Sequence, residues 1–174
     1  MFNLRLFFVF LVFFFSIVKG YSQLTYSFKI ESGGLKFIRN TIDYDVGPNW
    51  KGYKLQADNG FDFGIINSIG YKNKIFLGIG TDYLNFNGIN GLAVYSDVDY
   101  LPFNTRLNLL TNIKFGYNHV WNQYENGTGN LMAEFSVGAN YKIKNNLNIF
   151  IKTGTSLIQD ASFTPVKIGI RFIK

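Results

Sequence analysis

The residue with the widest chemical repertoire in this 174-residue chain is its single histidine, His119. An imidazole can serve as a general base near neutral pH, but it needs a nucleophile placed beside it. The chain has no Cys, which excludes a thiol nucleophile, Cys-ligated zinc, disulfides and a lipidated N-terminal cysteine. One histidine also rules out a multi-histidine metal site. Ser96 and Ser156 carry hydroxyls, yet no sequence spacing ties either to His119. Asp97 and Asp99 form a second constellation, two carboxylates of the kind that could share glycosidic acid and base work. On one face of a strand they are better explained as two partners for Lys or Arg. Asn126-Gly127-Thr128 matches a glycosylation acceptor pattern and reads more simply as a Gly-rich loop tip. No catalytic constellation, cofactor or metal site is expected from these residues.

The elements that must position them follow a period of two. In Leu24-Thr25-Tyr26-Ser27-Phe28-Lys29-Ile30-Glu31 the apolar residues occupy alternate places, the signature of a strand with two unlike faces. The pattern recurs over 61–71, 75–83, 92–100, 107–117, 131–141, 147–157 and 166–172. Eight strands result, most of them the roughly 9 to 11 residues of a tilted membrane strand. One face carries Tyr26, Phe63, Ile79, Val94, Val137 and their like, with no charge. The other carries six acids, Glu31, Asp62, Asp82, Asp97, Asp99 and Glu134, and five bases, Lys29, Lys114, Lys152, Lys167 and Arg171, together with many glycines.

Composition decides which face meets water. Charged residues make up 16% of the chain and aromatics 18%, against about 25% charged in an ordinary soluble domain. A soluble barrel would turn the apolar face inward. That face is bulkier than eight strands readily enclose, whereas glycine facing inward makes room for longer neighbours. Each Lys or Arg on a lipid face costs about 2 to 4 kcal/mol at midplane, so a charge-free face fits a bilayer. The expected fold is therefore all-β, an eight-stranded antiparallel up-and-down transmembrane β-barrel. Ile79→Lys and Val137→Lys are expected to harm insertion, and Gly138→Ser to be mild.

Residues 1–22 read as a cleavable signal peptide. Arg5 gives the positive start, 6–18 is uncharged, and Gly20 and Ser22 are the small residues before the cut. The barrel domain is then 23–174. With the N-terminus in the periplasm, the inner turns fall at 72–74, 101–106 and 142–146. The outer loops, expected to be longer, fall at 32–60, 84–91, 118–130 and 158–165. Tyr71, Tyr100, Tyr141 and Phe172 end the descending strands, and Tyr83 and Tyr117 end two ascending ones. These six are the expected aromatic girdles.

The signal segment, the eight alternating strands, Ser68-Ile69-Gly70-Tyr71 and the final run to Phe172 resemble the small outer-membrane barrels, the OmpA-like and OmpX-like proteins of Gram-negative bacteria. The resemblance spans the mature chain and lies in pattern and termini. Two departures stand out: the chain ends on Lys174 instead of an aromatic residue, and no peptidoglycan-binding domain is expected after the barrel. Some eight-stranded barrels modify lipid A, and the lipid A deacylases place a His and a Ser two residues apart. Here Trp121 stands two after His119, so an outer-leaflet lipid-modifying enzyme is the least favoured reading, with His119 expected in a surface loop.

The inward charges could line a narrow pore or form a plug of paired charges, which a dry lumen needs because an unpaired buried charge is costly. The plug is preferred, and loss of Arg171 is expected to strand a carboxylate at a cost on the order of several kcal/mol. That leaves a non-catalytic monomer whose role is structural or is exercised through its outer loops; a small porin-like channel is the alternative. Tyr44, Trp50, Tyr53, Trp121 and Tyr124 are candidate loop contacts for a surface protein or a glycan. Over 32–60 these residues could equally belong to strand extensions. A sequence pI of about 9.4 suits outer-membrane lipid and lipopolysaccharide. No basic patch or motif supports nucleic-acid binding.

Overall fold

The computed structural model describes residues 24–40, 48–49, 59–121 and 125–174. Eight antiparallel strands follow one another: β1 (Leu24–Asn40), β2 (Gly60–Tyr71), β3 (Ile75–Phe86), β4 (Ile89–Tyr100), β5 (Leu107–Val120), β6 (Thr128–Lys144), β7 (Leu147–Ile158) and β8 (Ala161–Ile173). β8 pairs back onto β1, so the sheet closes. The signal segment 1–22 lies outside the described residues.

Closure fixes the geometry. Following the ladder around from Ser27 passes through Ser68, Gly78, Asp97, Lys114, Glu134, Ser156 and Phe163, and returns to β1 at Phe37. The circuit climbs from residue 27 to residue 37, a shear of ten, which tilts the strands by about 35–45°. Leu24 and Lys174 sit at the same end of the barrel, called the near end below. There the main chains of Tyr26 and Lys174 exchange hydrogen bonds of 3.0 and 2.8 Å.

Alternation assigns every strand an inside and an outside. Ile79 is 69% exposed, and Leu77, Ile168 and Leu131 are similarly bare on the outer face. Inward positions are buried, including all eleven charged residues of the polar face. The inward glycines give space to particular rings. A Cβ on Gly80 would lie 2.6 Å from the Tyr95 ring, so the tyrosine can cross the lumen because its neighbour has no side chain.

The strands outrun their expected windows at the far end. β1 continues to Asn40, so the first nine residues of the expected loop at 32–60 are strand. The expected loops at 84–91 and 158–165 shrink to the two-residue turns Asn87-Gly88 and Gln159-Asp160. All four of those residues have positive φ, 48° and 98° in the first turn and 51° and 57° in the second, as a type I′ hairpin requires. Two far-end connections are therefore as short as any at the near end, contrary to expectation. β6 also runs through Lys142 to Lys144, past a bulge, which shortens the expected turn at 142–146. Pro165 lies within β8. The β7–β8 ladder is interrupted there, between Thr153–Val166 and Ser156–Phe163, because proline has no N–H to donate.

Candidate functional site

The lumen holds most of the polar chemistry. Near its middle, Lys29 on β1 places Nζ 2.6 Å from both Asp97 and Asp99 of β4. Asn112 of β5 donates to both carboxylates at 2.8 Å, and Arg171 of β8, the register neighbour of Lys29, pairs with the same Asp99 oxygen as Lys29. Asp97 and Asp99 are thus clamped by shared donors, an arrangement that leaves no room for a sugar between them. Lys152 of β7 donates to Asn112 Oδ1 at 2.6 Å, which links this cluster to a second one.

The second cluster gathers around Glu31. Its carboxylate lies 2.5 Å from Lys114 and 3.0 Å from Lys152, with Lys29 and Lys167 each at 3.8 Å. None of these contacts is a well-directed hydrogen bond to Glu31. The carboxylate is held by surrounding charge. Lys114 also bonds Asp82 at 2.9 Å and the Tyr95 hydroxyl at 3.0 Å, and Tyr95 donates to Asp82. Lys167 closes the cluster through Glu134 at 2.7 Å and through Asp62. Each of the eleven lumen charges meets an opposite charge, as burial at low dielectric demands.

Apolar layers cover this network at both ends. Toward the far end, Leu35, Leu84, Phe86, Ile89, Val120, Ile158 and Phe163 pack together, with Ile66, Tyr95 and Met132 beneath them. Toward the near end, Phe76, Leu101, Leu110 and Phe150 do the same. The Arg171 guanidinium stacks 4.3 Å from the Phe76 ring centroid, so the charged and apolar layers adjoin directly.

The catalytic candidates are not brought together. His119 lies on the outer side of β5, not in a loop, with its ring 4.9 Å from that of Trp121. It pairs with Leu92 on β4, which puts Ser96 about 13 Å further along that strand at about 3.3 Å per residue. Ser156 faces the lumen, buried. Among the described residues no group of His, Asp and Glu is placed to hold a metal ion.

The six girdle residues all face outward, 37–52% exposed. At the near end Arg106 lies 5.0 Å over the Tyr141 ring and Lys72 lies 5.2 Å over Tyr71. Of the loop candidates, Trp121 is exposed and its main-chain N–H donates to the Asn90 carbonyl at 2.7 Å. Tyr44, Trp50, Tyr53 and Tyr124 lie outside the described residues. Sequence reasoning passed over Asn112, which ties the two charge clusters together. Its inward place between Leu110 and Lys114 was the available signal.

No family model and no curated protein matches the chain. Solved structures do. Neisserial surface protein A superposes with a TM-score of 0.63 at 8% identity, covering 85% of this chain and 96% of that one. The N-terminal β-barrel domain of Pseudomonas aeruginosa OprF gives a TM-score of 0.51 at 13% identity, over 85% of this chain and 97% of that domain. With its closed eight-stranded sheet, apolar mid-strand exterior and filled lumen, the chain has the fold of the small outer-membrane β-barrels, the OmpA-like and OmpX-like group.

Proposed function

We propose that the chain is an integral outer-membrane barrel that neither conducts nor catalyses, and that it acts through the surface at its far end. The observation that carries this reading is the layered lumen, in which ion pairs at the centre are sealed by packed apolar side chains at each mouth. An ion crossing it would have to displace both layers and break into a network whose partners are already matched. The exposed apolar exterior supports residence in lipid, since in water it would be one continuous patch far above the few hundred Å² that soluble monomers show.

In the proposed orientation the near end faces the periplasm, and the signal segment is removed during export. β1 then ends and β2 begins at the far end, as β5 ends and β6 begins there, and that end carries the exposed cations Lys36 and Arg39 of β1. Such cations suit the phosphates of lipopolysaccharide. The intervening aromatics, Tyr44, Trp50, Tyr53, Trp121 and Tyr124, suit a protein or glycan partner. Reconstitution into planar bilayers tests the lumen, with insertion verified by protease protection of the barrel. The expected result is a silent membrane. Steady single-channel currents would overturn the sealed-lumen reading and favour a small pore.

A further inference from the structure

The near end opens on a cavity of about 270 Å³ with an unusual lining. Its inner boundary is Leu101 and Ile173, which belong to or pack on the near apolar layer. Its walls are side-chain amides. Asn140 on β6 and Asn148 on β7 are 3% and 5% exposed, line the cavity, and each has an Oδ1 with no hydrogen-bond partner. Asn108 differs from them. It accepts from the Phe103 N–H at 3.0 Å and donates to the Phe103 carbonyl, which pins the 101–106 connection beside the mouth. Buried amide oxygens without donors are uncommon and need a reason. Because these two are not tied to the wall, each carboxamide can turn its oxygen or its NH2 toward an incoming group.

Charge at this end is one-sided. Lys72 and Lys142 stand on the cavity wall. With Lys74, Arg106, Lys144 and Lys174 they make six cations, and the three near-end turns and the β8 terminus contain no Asp or Glu. The lumen acids lie beyond the apolar layer and are already paired.

We propose that this cup binds a soluble acidic sugar of about one ring, a uronate in chemical class. The ring hydroxyls meet the Asn140 and Asn148 carboxamides, and the carboxylate lies between Lys72 and Lys142. A bare inorganic anion fits less well. The volume corresponds to about nine waters at roughly 30 Å³ each, more than one small anion fills, so such an anion leaves part of the amide lining unmet. A lipid headgroup also fits less well, because the cup opens along the barrel axis inside the strand ring, whereas lipid lies outside it. Arg106 reaches over Tyr141 on the outer wall, and Lys72, which also lines the cup, rests over Tyr71 and must swing inward from that ring to meet the ligand. The site holds whichever side of the membrane the near end faces, so it goes beyond the functional reading above and can fail separately from it.

The test uses the full barrel in nanodiscs of phosphatidylcholine, with side-chain amide NMR as the readout. Glucuronate should shift the Asn140 and Asn148 NH2 signals in a saturable way. Glucose and inorganic phosphate should each bind at least about tenfold more weakly, since each lacks one half of the recognition. Lys72→Glu with Lys142→Glu, both on exposed side chains, should abolish the glucuronate shifts while the heat-modifiable gel mobility stays native. Should that pair fail to fold, Lys72→Gln with Lys142→Gln carries the same expectation of loss. Four results would overturn the proposal: no shift with glucuronate, phosphate binding as tightly as glucuronate, undiminished binding by a folded charge variant, or shifts that arise only in discs containing phosphatidylglycerol.

Discussion

Glu31 lies against four of the five lumen cations, and Lys29 bridges two of the six acids at 2.6 Å. Removing one side of a buried pair costs more than the pair contributes, because the abandoned charge stays in a low-dielectric place. Lys29→Met should therefore destabilise the barrel by about 3–5 kcal/mol in urea titrations from vesicles. Arg171 is less exclusive than its sequence position implied. Asp99 keeps Lys29 and Asn112 when the guanidinium is gone, so no carboxylate is stranded, and Arg171→Met should cost about 1–3 kcal/mol. Equal losses from the two variants would contradict this ranking. Gly138→Ser moves the other way. A Cβ there would collide with the Ile151 carbonyl and approach Lys152 Cα to 2.6 Å, so the substitution forces two strands apart and is not mild. Which residues face inward was legible from alternation alone. Who pairs with whom was not, because Lys29 meets Asp97 across 68 positions of sequence and three strand-to-strand steps, a contact set by the shear of the closed sheet.

The strands were legible where lipid imposes contrast on their two faces. From Ile75 to Tyr83 the outer side must be apolar and the lumen side admits glycine and acid, so the period of two is clear. Beyond the bilayer the outer side can be polar, as at Asn85 and Asn87, and the contrast fades although the ladder continues. β3 and β4 extend in this way to Phe86 and Ile89. The strongest local signal there was Asn87-Gly88, an Asn-Gly pair between alternating residues. Gln159-Asp160 adopts the same geometry without glycine. Gln159 is tied to Asn118 at 2.6 Å and Asp160 to Asn130 at 2.8 Å, contacts that only the folded barrel supplies. The turn at 87–88 has a glycine to take the positive φ. Gly88 has φ of 98° and open space where a Cβ would stand. Gly88→Val should thus destabilise by strain alone, about 1–2 kcal/mol, without disturbing packing. A neutral result in unfolding titrations would mean that this hairpin is not held in the type I′ form.

At the scale of the whole molecule, the interior is charged and the exterior is apolar, the reverse of a soluble barrel. Depth should then govern tolerance of charge outside. Ile79 pairs with Asn67 and Ser96 near mid-strand, whereas Leu107 opens β5 opposite the girdle residue Tyr141. Ile79→Lys should cost about 2–4 kcal/mol in lipid and Leu107→Lys about 0–1 kcal/mol, and similar costs would argue against a bilayer around this wall. The near-end cup was the part least legible in advance, because Asn108, Asn140 and Asn148 are distant in sequence and become one lining only when β5, β6 and β7 pair. The most direct measurement of the central claim is refolding of the mature chain into lipid vesicles, read by gel mobility with and without boiling. A closed barrel in lipid should give a separate, fast or slow unboiled band and should leave the vesicles only with detergent. A single band regardless of boiling, with protein that stays soluble and folded in buffer alone, would contradict it.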